Sequence, residues 1–145
     1  MAVQKTCLIV DDSDVVRRMM RTIIEDLGFH VDDTATTDDA LKRCKAKLPD
    51  LIVLDWHIPA CQPIEFLAAV RSLPTGRQTK VLYVLTNNDR AEIGRGITAG
   101  ADDYMIKPFY RVALETKVAT LTTTKRKVLD DDIYFQPPLR TGTAV

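Results

Sequence analysis

Short apolar runs alternate along the chain with longer segments in which apolar residues recur every three or four positions. A short run rich in β-branched residues is typical of a strand covered on both faces, and the longer spacing is typical of an amphipathic helix. Because the two kinds of segment alternate at short intervals, we predict a doubly wound α/β domain, a five-stranded parallel sheet with helices on both faces. The predicted strands are residues 6–10, 29–33, 51–54, 81–85 and 103–106.

Capping and turn-forming residues indicate where the helices begin and end. The first helix is predicted to stop at Gly28, because glycine commonly terminates helices. Asp89 and Glu92 have the spacing of a capping box, in which each side chain accepts a hydrogen bond from the other residue's backbone N–H. The same helix contains Gly94 and Gly96, so it is expected to be the least rigid of the five. The helices are predicted to begin near Asp14, Thr37, Ile64, Asp89 and Phe109.

The composition narrows the class of protein. A chain of 145 residues that is 46% hydrophobic suffices for one domain with a continuous core. Its 20 basic residues balance its 20 acidic ones, which argues against a protein built to neutralise nucleic acid or to bind an anionic membrane. No apolar run approaches the roughly 20 residues of a bilayer span, and the N-terminus lacks the apolar region of a signal peptide. We therefore expect a cytoplasmic protein without membrane insertion.

The C-terminal segment differs in composition from the rest of the chain. Residues 1–123 are predicted to form the domain, and residues 124–145, with blocks of charge and two prolines, are predicted to form a flexible tail. An alternative is that Ile133, Tyr134 and Phe135 form a short motif that docks on the domain or on a partner.

Several other conspicuous side chains are expected to have structural roles. The three cysteines are odd in number and widely spaced, so neither a disulfide framework nor a zinc site is expected. Three arginines of the first helix lie away from its apolar stripe and are expected to form a solvated face. Trp56 is expected to pack at a strand end. The cysteines are Cys7, Cys44 and Cys61, and the arginines are Arg17, Arg18 and Arg21.

Polar side chains follow four of the predicted strands at the point where each strand ends. Asp11 and Asp12 follow the first strand, Asp55 the third, Thr86 the fourth and Lys107 the fifth. Because the carboxyl ends of parallel strands meet at one edge of a sheet, these side chains are expected to lie close together. Neighbouring carboxylates repel one another unless a cation joins them, and Mg²⁺ prefers oxygen ligands. The sequence therefore predicts a Mg²⁺ site at this edge.

The predicted site contains the groups that transfer a phosphoryl group onto an aspartate. Asp55 supplies the nucleophile, Lys107 and a divalent cation neutralise charge, and Thr86 contacts a phosphoryl oxygen. A nucleotide-binding protein is disfavoured, because the chain has neither a G-x-G-x-x-G nor a G-x-x-x-x-G-K-[ST] motif. A Mg²⁺-dependent phosphate-ester hydrolase is a weaker alternative, since His57 is the only evident candidate for its general acid.

Five short motifs occur in order along the chain: Val10-Asp11-Asp12-Ser13, Asp55-Trp56-His57-Ile58-Pro59, Leu85-Thr86, Ala99-Gly100-Ala101 and Lys107-Pro108-Phe109. Together they resemble the receiver domain of bacterial two-component response regulators. The resemblance covers about residues 5–121, and the stand-alone, CheY-like members of the family are most similar in length. It implies a CheY/flavodoxin-like fold and a phosphoacceptor that is not an enzyme in the usual sense.

The resemblance also implies roles for the residues at the strand ends. Asp55 would accept a phosphoryl group from a histidine kinase, and Lys107 and Thr86 would hold the phosphoryl oxygens. The Mg²⁺ ligands would be Asp11, Asp12, Asp55 and His57, the last through its backbone carbonyl.

A conformational switch is implied as well. Tyr104 lies at the family's switch position and would turn inward as Thr86 moves toward the phosphoryl group. The surface that changes would be the face formed by the fourth helix, the fifth strand and the fifth helix. His57 and Asn88 occupy the positions that tune the lifetime of the phosphorylated state, and Asn87 stands where the family usually has a small residue.

Two outputs are compatible with these roles. The first is a chemotaxis-like binding module whose output partner is a flagellar switch protein. The second is a phosphorelay shuttle that passes its phosphoryl group to a histidine phosphotransferase. A DNA-binding output is disfavoured, because residues 124–145 are too few for a helix-turn-helix module.

Overall fold

The strands form one parallel sheet, as predicted. The computed structural model describes residues 4–59 and 61–123. Its strands are β1 (Thr6–Val10), β2 (His30–Thr34), β3 (Leu51–Asp55), β4 (Lys80–Leu85) and β5 (Asp103–Ile106). They are hydrogen-bonded in the order β2-β1-β3-β4-β5, and every neighbouring pair is parallel. The α/β fold class is therefore confirmed.

Helices alternate with the strands. The described residues form α1 (Asp14–Asp26), α2 (Thr37–Ala46), α3 (Pro63–Ser72), α4 (Arg90–Ala99) and α5 (Arg111–Thr123). The end of α1 is as predicted, since Gly28 has a φ of 98°, which favours glycine. The start of α5 is later than predicted, because Phe109 lies before the helix and packs against the core instead.

The core has two layers, one on each face of the sheet. Along β3 the residues alternate between them, so that Leu51 and Val53 face α1 and α5 while Ile52 and Leu54 face α2 and α3. All four of these side chains are fully buried. Burial on both faces explains why the strand consists of consecutive apolar residues instead of alternating apolar and polar ones.

The order of the strands fixes where a ligand crevice can form. From β1 the chain moves outward to β2 and then crosses back to β3, so the direction of strand addition reverses between β1 and β3. In open α/β sheets the carboxyl ends of the strands on either side of such a reversal line a crevice. Here those ends lead into Asp11 and Asp12 on one side and carry Asp55 on the other.

The two glycines of α4 have different surroundings. Tyr83 of β4 is fully buried beneath the helix, and its hydroxyl lies within hydrogen-bond distance of the backbone carbonyls of Glu92 and Ile93, with Ile93 the nearer. A Cβ atom on Gly96 would lie 2.2 Å from the Tyr83 ring, whereas a Cβ atom on Gly94 would meet nothing within 4 Å. Gly96 therefore allows close packing on Tyr83, and Gly94 has no such role.

Alanine is expected to have opposite effects at these two glycines. Gly96→Ala should lower the free energy of unfolding by about 1–3 kcal/mol through overpacking against Tyr83. Gly94→Ala should raise it by up to about 1 kcal/mol, because alanine favours a helix more than glycine does. Urea denaturation of the two variants measures both changes. Changes of the same sign in the two variants would show that Tyr83 does not require a glycine at position 96.

The predicted tail lies outside the described residues. Residues 124–145, which include Ile133, Tyr134 and Phe135, are not among them, so the docking alternative stays a prediction. Within residues 4–59 and 61–123, each helix is too short or too polar to cross a bilayer.

Candidate functional site

Three carboxylates lie together at the carboxyl ends of β1 and β3. Asp11 and Asp12 follow β1, and Asp55 is the last residue of β3. One carboxylate oxygen from each lies within 4.8 Å of the others. Asp11 is fully buried and Asp55 is 3% exposed, whereas Asp12 is open to solvent. Two of the three negative charges are therefore held away from bulk water, and the third faces it.

Lys107 brings a positive charge into this cluster from the end of β5. Its Nζ lies 3.0 Å from Asp11 Oδ2 and 3.5 Å from Asp55 Oδ1. The backbone N–H of Lys107 donates to the Leu85 carbonyl at 2.7 Å, which extends the pairing of β4 with β5 as far as the site. The ammonium group therefore bridges the two buried carboxylates.

The surroundings shift the pKa values of both partners upward. Burial raises the pKa of Asp55 and the charge of Asp11 raises it further, while Lys107 and the backbone N–H of His57 oppose this only in part. Burial alone would lower the pKa of Lys107, but its hydrogen bond to Asp11 and the charge of Asp55 outweigh burial. Lys107 therefore stays charged at neutral pH, and Asp55 binds a proton or another cation more readily than an exposed aspartate does.

The loop after β1 is fixed by hydrogen bonds that involve α1. The backbone N–H of Ser13 donates to Asp11 Oδ1 at 2.9 Å, and Ser13 Oγ accepts from the Val16 N–H to cap the helix. Arg17 donates from Nη1 to the Asp11 carbonyl at 2.6 Å and pairs through Nε with Asp33 at 3.2 Å. These contacts orient the backbone from which Asp11 and Asp12 project.

The expectation of a solvated arginine face is wrong for Arg17. Its side chain is only 16% exposed, because it lies in the angle between α1 and the ends of β1 and β2. Arg21 lies one turn further along and pairs with Asp33 and Glu25. Arg18 is exposed, as expected.

His57 connects Asp55 with the rim of the site. Its backbone N–H lies 3.5 Å from Asp55 Oδ1. One ring nitrogen, Nδ1, lies 3.3 Å from Thr86 Oγ1, and the other, Nε2, lies 3.3 Å from Glu92 Oε1. Asn88, which was predicted to act with His57, is exposed. The described contacts of the His57 ring are thus with Thr86 and with α4.

Glu92 lies at the site, although the sequence pattern predicted that it would cap α4. The predicted capping box forms only in half. Asp89 caps α4 by accepting from the N–H groups of Ala91 and Glu92 at 2.9 and 3.3 Å. The N–H of Asp89 donates to Asn87 Oδ1 instead of to Glu92. The Glu92 carboxylate lies beside His57, and a tertiary contact of this kind has no local sequence signal.

Three aromatic rings near the site, those of Trp56, Tyr83 and Tyr104, pack side by side with their planes tilted relative to one another. Trp56 is 9% exposed, and its ring centroid lies 4.9 Å from that of Tyr83, which confirms its packing role. Tyr104 on β5 is half-buried, with its centroid 6.4 Å from Tyr83. Lys117 Nζ lies 5.5 Å from the Tyr104 centroid and pairs with Asp103 at 3.0 Å. Tyr104 is therefore covered from α5, at the surface predicted to change.

The donor set fits Mg²⁺. Asp11, Asp12 and Asp55 together offer three carboxylate oxygens, which are hard ligands suited to a small divalent cation that keeps part of its water shell. Beyond the effect of burial, the charges of Asp11 and Asp12 raise the pKa of Asp55, and Lys107 opposes them. The backbone carbonyl of His57, two residues after Asp55, is the predicted fourth protein ligand.

The arrangement suits transfer of a phosphoryl group onto Asp55. A carboxylate nucleophile, an ammonium group 3.5 Å from it and a hydroxyl at the rim are the groups such a transfer needs. Hydrolysis of an external ester would also need a general acid. The predicted candidate, His57, has both ring nitrogens next to Thr86 and Glu92.

Comparisons with known proteins agree with this chemistry. The protein-family model of the response regulator receiver domain matches residues 7–119 of the sequence. The chemotaxis protein CheY of Pseudomonas aeruginosa is 35% identical over 114 residues, which cover 77% of this chain and 90% of that protein. The solved structure of the chemotaxis response regulator CheY4 of Vibrio cholerae superposes with a TM-score of 0.77 at 27% identity, covering 82% of this chain and 99% of that one.

A longer relative matches only in part. The phosphate regulon transcriptional regulatory protein PhoB of Rhizobium meliloti is 34% identical over 122 residues, which cover 83% of this chain. The matched segment is 54% of that protein, so the chain spans about half the length of this relative.

Proposed function

This chain belongs to the response regulator receiver domain family, and on that premise we propose that Asp55 accepts a phosphoryl group from a histidine kinase. Receiver domains of the CheY type are phosphoacceptors, not conventional enzymes. The observation that carries the proposal is the position of Lys107 Nζ, which contacts both Asp11 and Asp55 at the carboxyl edge of the sheet.

In the proposed transfer, a carboxylate oxygen of Asp55 attacks the phosphorus as the bond to the donor's imidazole nitrogen breaks. Lys107 neutralises charge on the phosphoryl oxygens, and the Thr86 hydroxyl donates a hydrogen bond to one of them. Receiver domains bind Mg²⁺ in an acidic pocket. Bound Mg²⁺ would lower the repulsion between the nucleophile and the incoming group. It would be held by Asp11, Asp12, Asp55 and the His57 carbonyl.

We further propose that this receiver domain acts in the cytoplasm and signals through the face formed by α4, β5 and α5. The high coverage of the CheY relative supports a chemotaxis-like output, in which Thr86 and Tyr104 change position and a flagellar switch protein is the partner. Residues 1–123 would form the receiver and residues 124–145 a tail. A phosphorelay shuttle to a histidine phosphotransferase is the second candidate, since it uses the same acceptor chemistry.

Phosphorylation by a small donor tests the proposal. Incubation with Mg²⁺ and acetyl phosphate, followed by intact mass measurement, should show one added phosphoryl group. The same incubation with a chelator should show none, because the carboxylate cluster then repels the donor. A mass that never increases, in a protein whose circular dichroism shows it to be folded, would exclude the phosphoacceptor role.

The affinity for Mg²⁺ is expected to fall as the pH is lowered. Protons compete with the cation for the carboxylates, and the raised pKa of Asp55 makes this competition begin at a higher pH than at an ordinary aspartate. Trp56 is the only tryptophan of the chain and directly follows Asp55, so its fluorescence can report the titration. An affinity that stays constant between about pH 8 and pH 5, at matched ionic strength, would contradict the assigned ligands.

A further inference from the structure

The His57 ring lies between the phosphorylation site and α4. Its Nδ1 is 3.3 Å from Thr86 Oγ1, and its Nε2 is 3.3 Å from Glu92 Oε1. Glu92 lies in the first turn of α4, where the Tyr83 hydroxyl lies 3.1 Å from its backbone carbonyl. A single side chain therefore joins the hydroxyl that would meet the phosphoryl group to the start of a helix on the proposed output face.

The contact with Glu92 bears on which ring nitrogen of His57 carries the proton. Glu92 Oε1 is buried and accepts no well-aligned hydrogen bond from the described residues, and His57 Nε2 lies 3.3 Å from it. An ionised carboxylate only accepts hydrogen bonds, and a neutral imidazole has one donor and one acceptor nitrogen. A proton on Nε2 would face this carboxylate and leave the lone pair of Nδ1 facing Thr86.

With that tautomer, Thr86 donates its hydroxyl proton to His57 Nδ1. A threonine hydroxyl has one proton, so it cannot donate to His57 and to a phosphoryl oxygen at once. We infer that Glu92 is a positioning residue. By fixing the ring and tautomer of His57, it keeps the Thr86 hydroxyl hydrogen-bonded to His57 Nδ1. This Thr86–His57 contact, the latch, must break when Asp55 is phosphorylated. This inference rests on the proposed function and adds a regulatory contact within the same site.

The latch opposes the phosphorylated state and changes α4 when it opens. As Thr86 turns to the phosphoryl group, His57 Nδ1 loses its donor, and the ring beside Glu92 loses its contact with the residue that follows β4. An interaction made in only one of two states shifts the equilibrium by its full net strength. Removal of Glu92 should therefore favour the state in which Thr86 contacts the phosphoryl group.

Binding of a phosphoryl mimic measures this effect. Beryllium fluoride is titrated with Mg²⁺ present and Trp56 fluorescence as the signal, at a pH where imidazole is neutral. Glu92→Ala should tighten beryllium fluoride binding by about three- to tenfold, the size expected for loss of one net hydrogen bond from the unliganded state. The affinity of Glu92→Gln for beryllium fluoride should lie between those of the parent and of Glu92→Ala, because an amide can accept the same hydrogen bond or donate in its place.

Two further variants separate the latch from other effects of Glu92. Arg95→Ala removes a charged neighbour that lies 3.9 Å from Glu92 on α4 and leaves the His57 contacts in place, so it should bind the mimic as the parent does. In a Thr86→Ala background the hydroxyl is gone, and Glu92→Ala should no longer tighten binding. The ¹⁵N chemical shifts of the parent's imidazole should show the proton of His57 on Nε2.

The outcomes distinguish the latch from the proposed function. Suppose that the parent accepts a phosphoryl group. If Glu92→Ala then leaves the affinity for beryllium fluoride unchanged, or tightens it equally in the Thr86→Ala background, the latch is wrong and the phosphoacceptor role stands. A proton found on Nδ1 of His57 would have the same meaning. If the parent neither accepts a phosphoryl group nor binds the mimic, both proposals fail together.

Discussion

Asp55→Asn is expected to abolish uptake of a phosphoryl group from acetyl phosphate. The amide nitrogen and oxygen of asparagine are far weaker nucleophiles than a carboxylate, and the substitution also removes one oxygen ligand of the acidic cluster. Asp11 is buried against Lys107, and Asp12 lies at the solvent-exposed rim. Both carboxylate oxygens of Asp11 already accept hydrogen bonds, from Lys107 and from the Ser13 N–H. Intact mass measurement should show one added phosphoryl group on the parent and none on the variant.

The same substitution is expected to stabilise the protein at neutral pH without a divalent cation. Folding raises the pKa of Asp55, so its contribution to stability is present at low pH and is lost as the pH rises through the folded-state value. At neutral pH the ionised group destabilises the fold, and neutral asparagine removes that cost. The gain in melting temperature should shrink as the pH is lowered, because Asp55 of the parent is then protonated.

Asp38→Asn is the matched control, since Asp38 is exposed at the start of α2. This variant should be phosphorylated like the parent and show little change in melting temperature. If Asp55→Asn still gains a phosphoryl group, another residue is the acceptor. If it melts below the parent at neutral pH, the upward shift of the Asp55 pKa is contradicted.

Arg71→Ala is expected to lower the free energy of unfolding more than any other substitution proposed for this protein. Arg71 of α3 is 12% exposed and donates to the backbone carbonyls of Gly76, Thr79 and Gly100 at distances that include 2.7, 2.6 and 3.1 Å. It also pairs at 3.1 Å with Asp102, whose side chain is equally buried. Removal of the guanidinium takes the donor away from three backbone carbonyls and breaks the ion pair with the buried Asp102, so the free energy of unfolding should fall by about 3–5 kcal/mol.

Urea denaturation measures this loss, and Arg111→Ala provides the control. Arg111 on α5 also makes two ion pairs, with Asp26 and Glu115, but its side chain is 48% exposed. Solvent-exposed pairs contribute little, so that variant should lose no more than about 1 kcal/mol. Equal losses in the two variants would show that the carbonyl contacts of Arg71 do not matter.

The fold could be predicted because its strands are buried on both faces. Consecutive apolar residues such as Leu51 to Leu54 have few alternatives to a central parallel strand when helical segments flank them. The boundary of α5 was less predictable. Phe109 suits a helix as well as it suits a buried loop, and only the three-dimensional core decides between them.

Convergence of the site could also be predicted, because parallel strands end at a common edge. That rule alone brings Lys107 to Asp55 from 52 positions away. The contacts that support the site could not be predicted in this way. Arg17 and Arg71 bind backbone carbonyls, and Glu92 leaves its local capping role for His57. Such partners depend on how helices are placed over the sheet, which local sequence patterns do not encode.

Among residues 4–59 and 61–123, the order of the sheet leaves two strands, β2 and β5, with one unpaired side each. An open edge is a template on which another copy can add a strand and begin to aggregate. Both strands carry acidic side chains, Asp32 and Asp33 on β2 and Asp103 on β5. Asp33 and Asp103 are paired with basic side chains, whereas Asp32 is exposed, so two copies that approached through their β2 edges would bring the Asp32 carboxylates together, which opposes strand pairing at that edge.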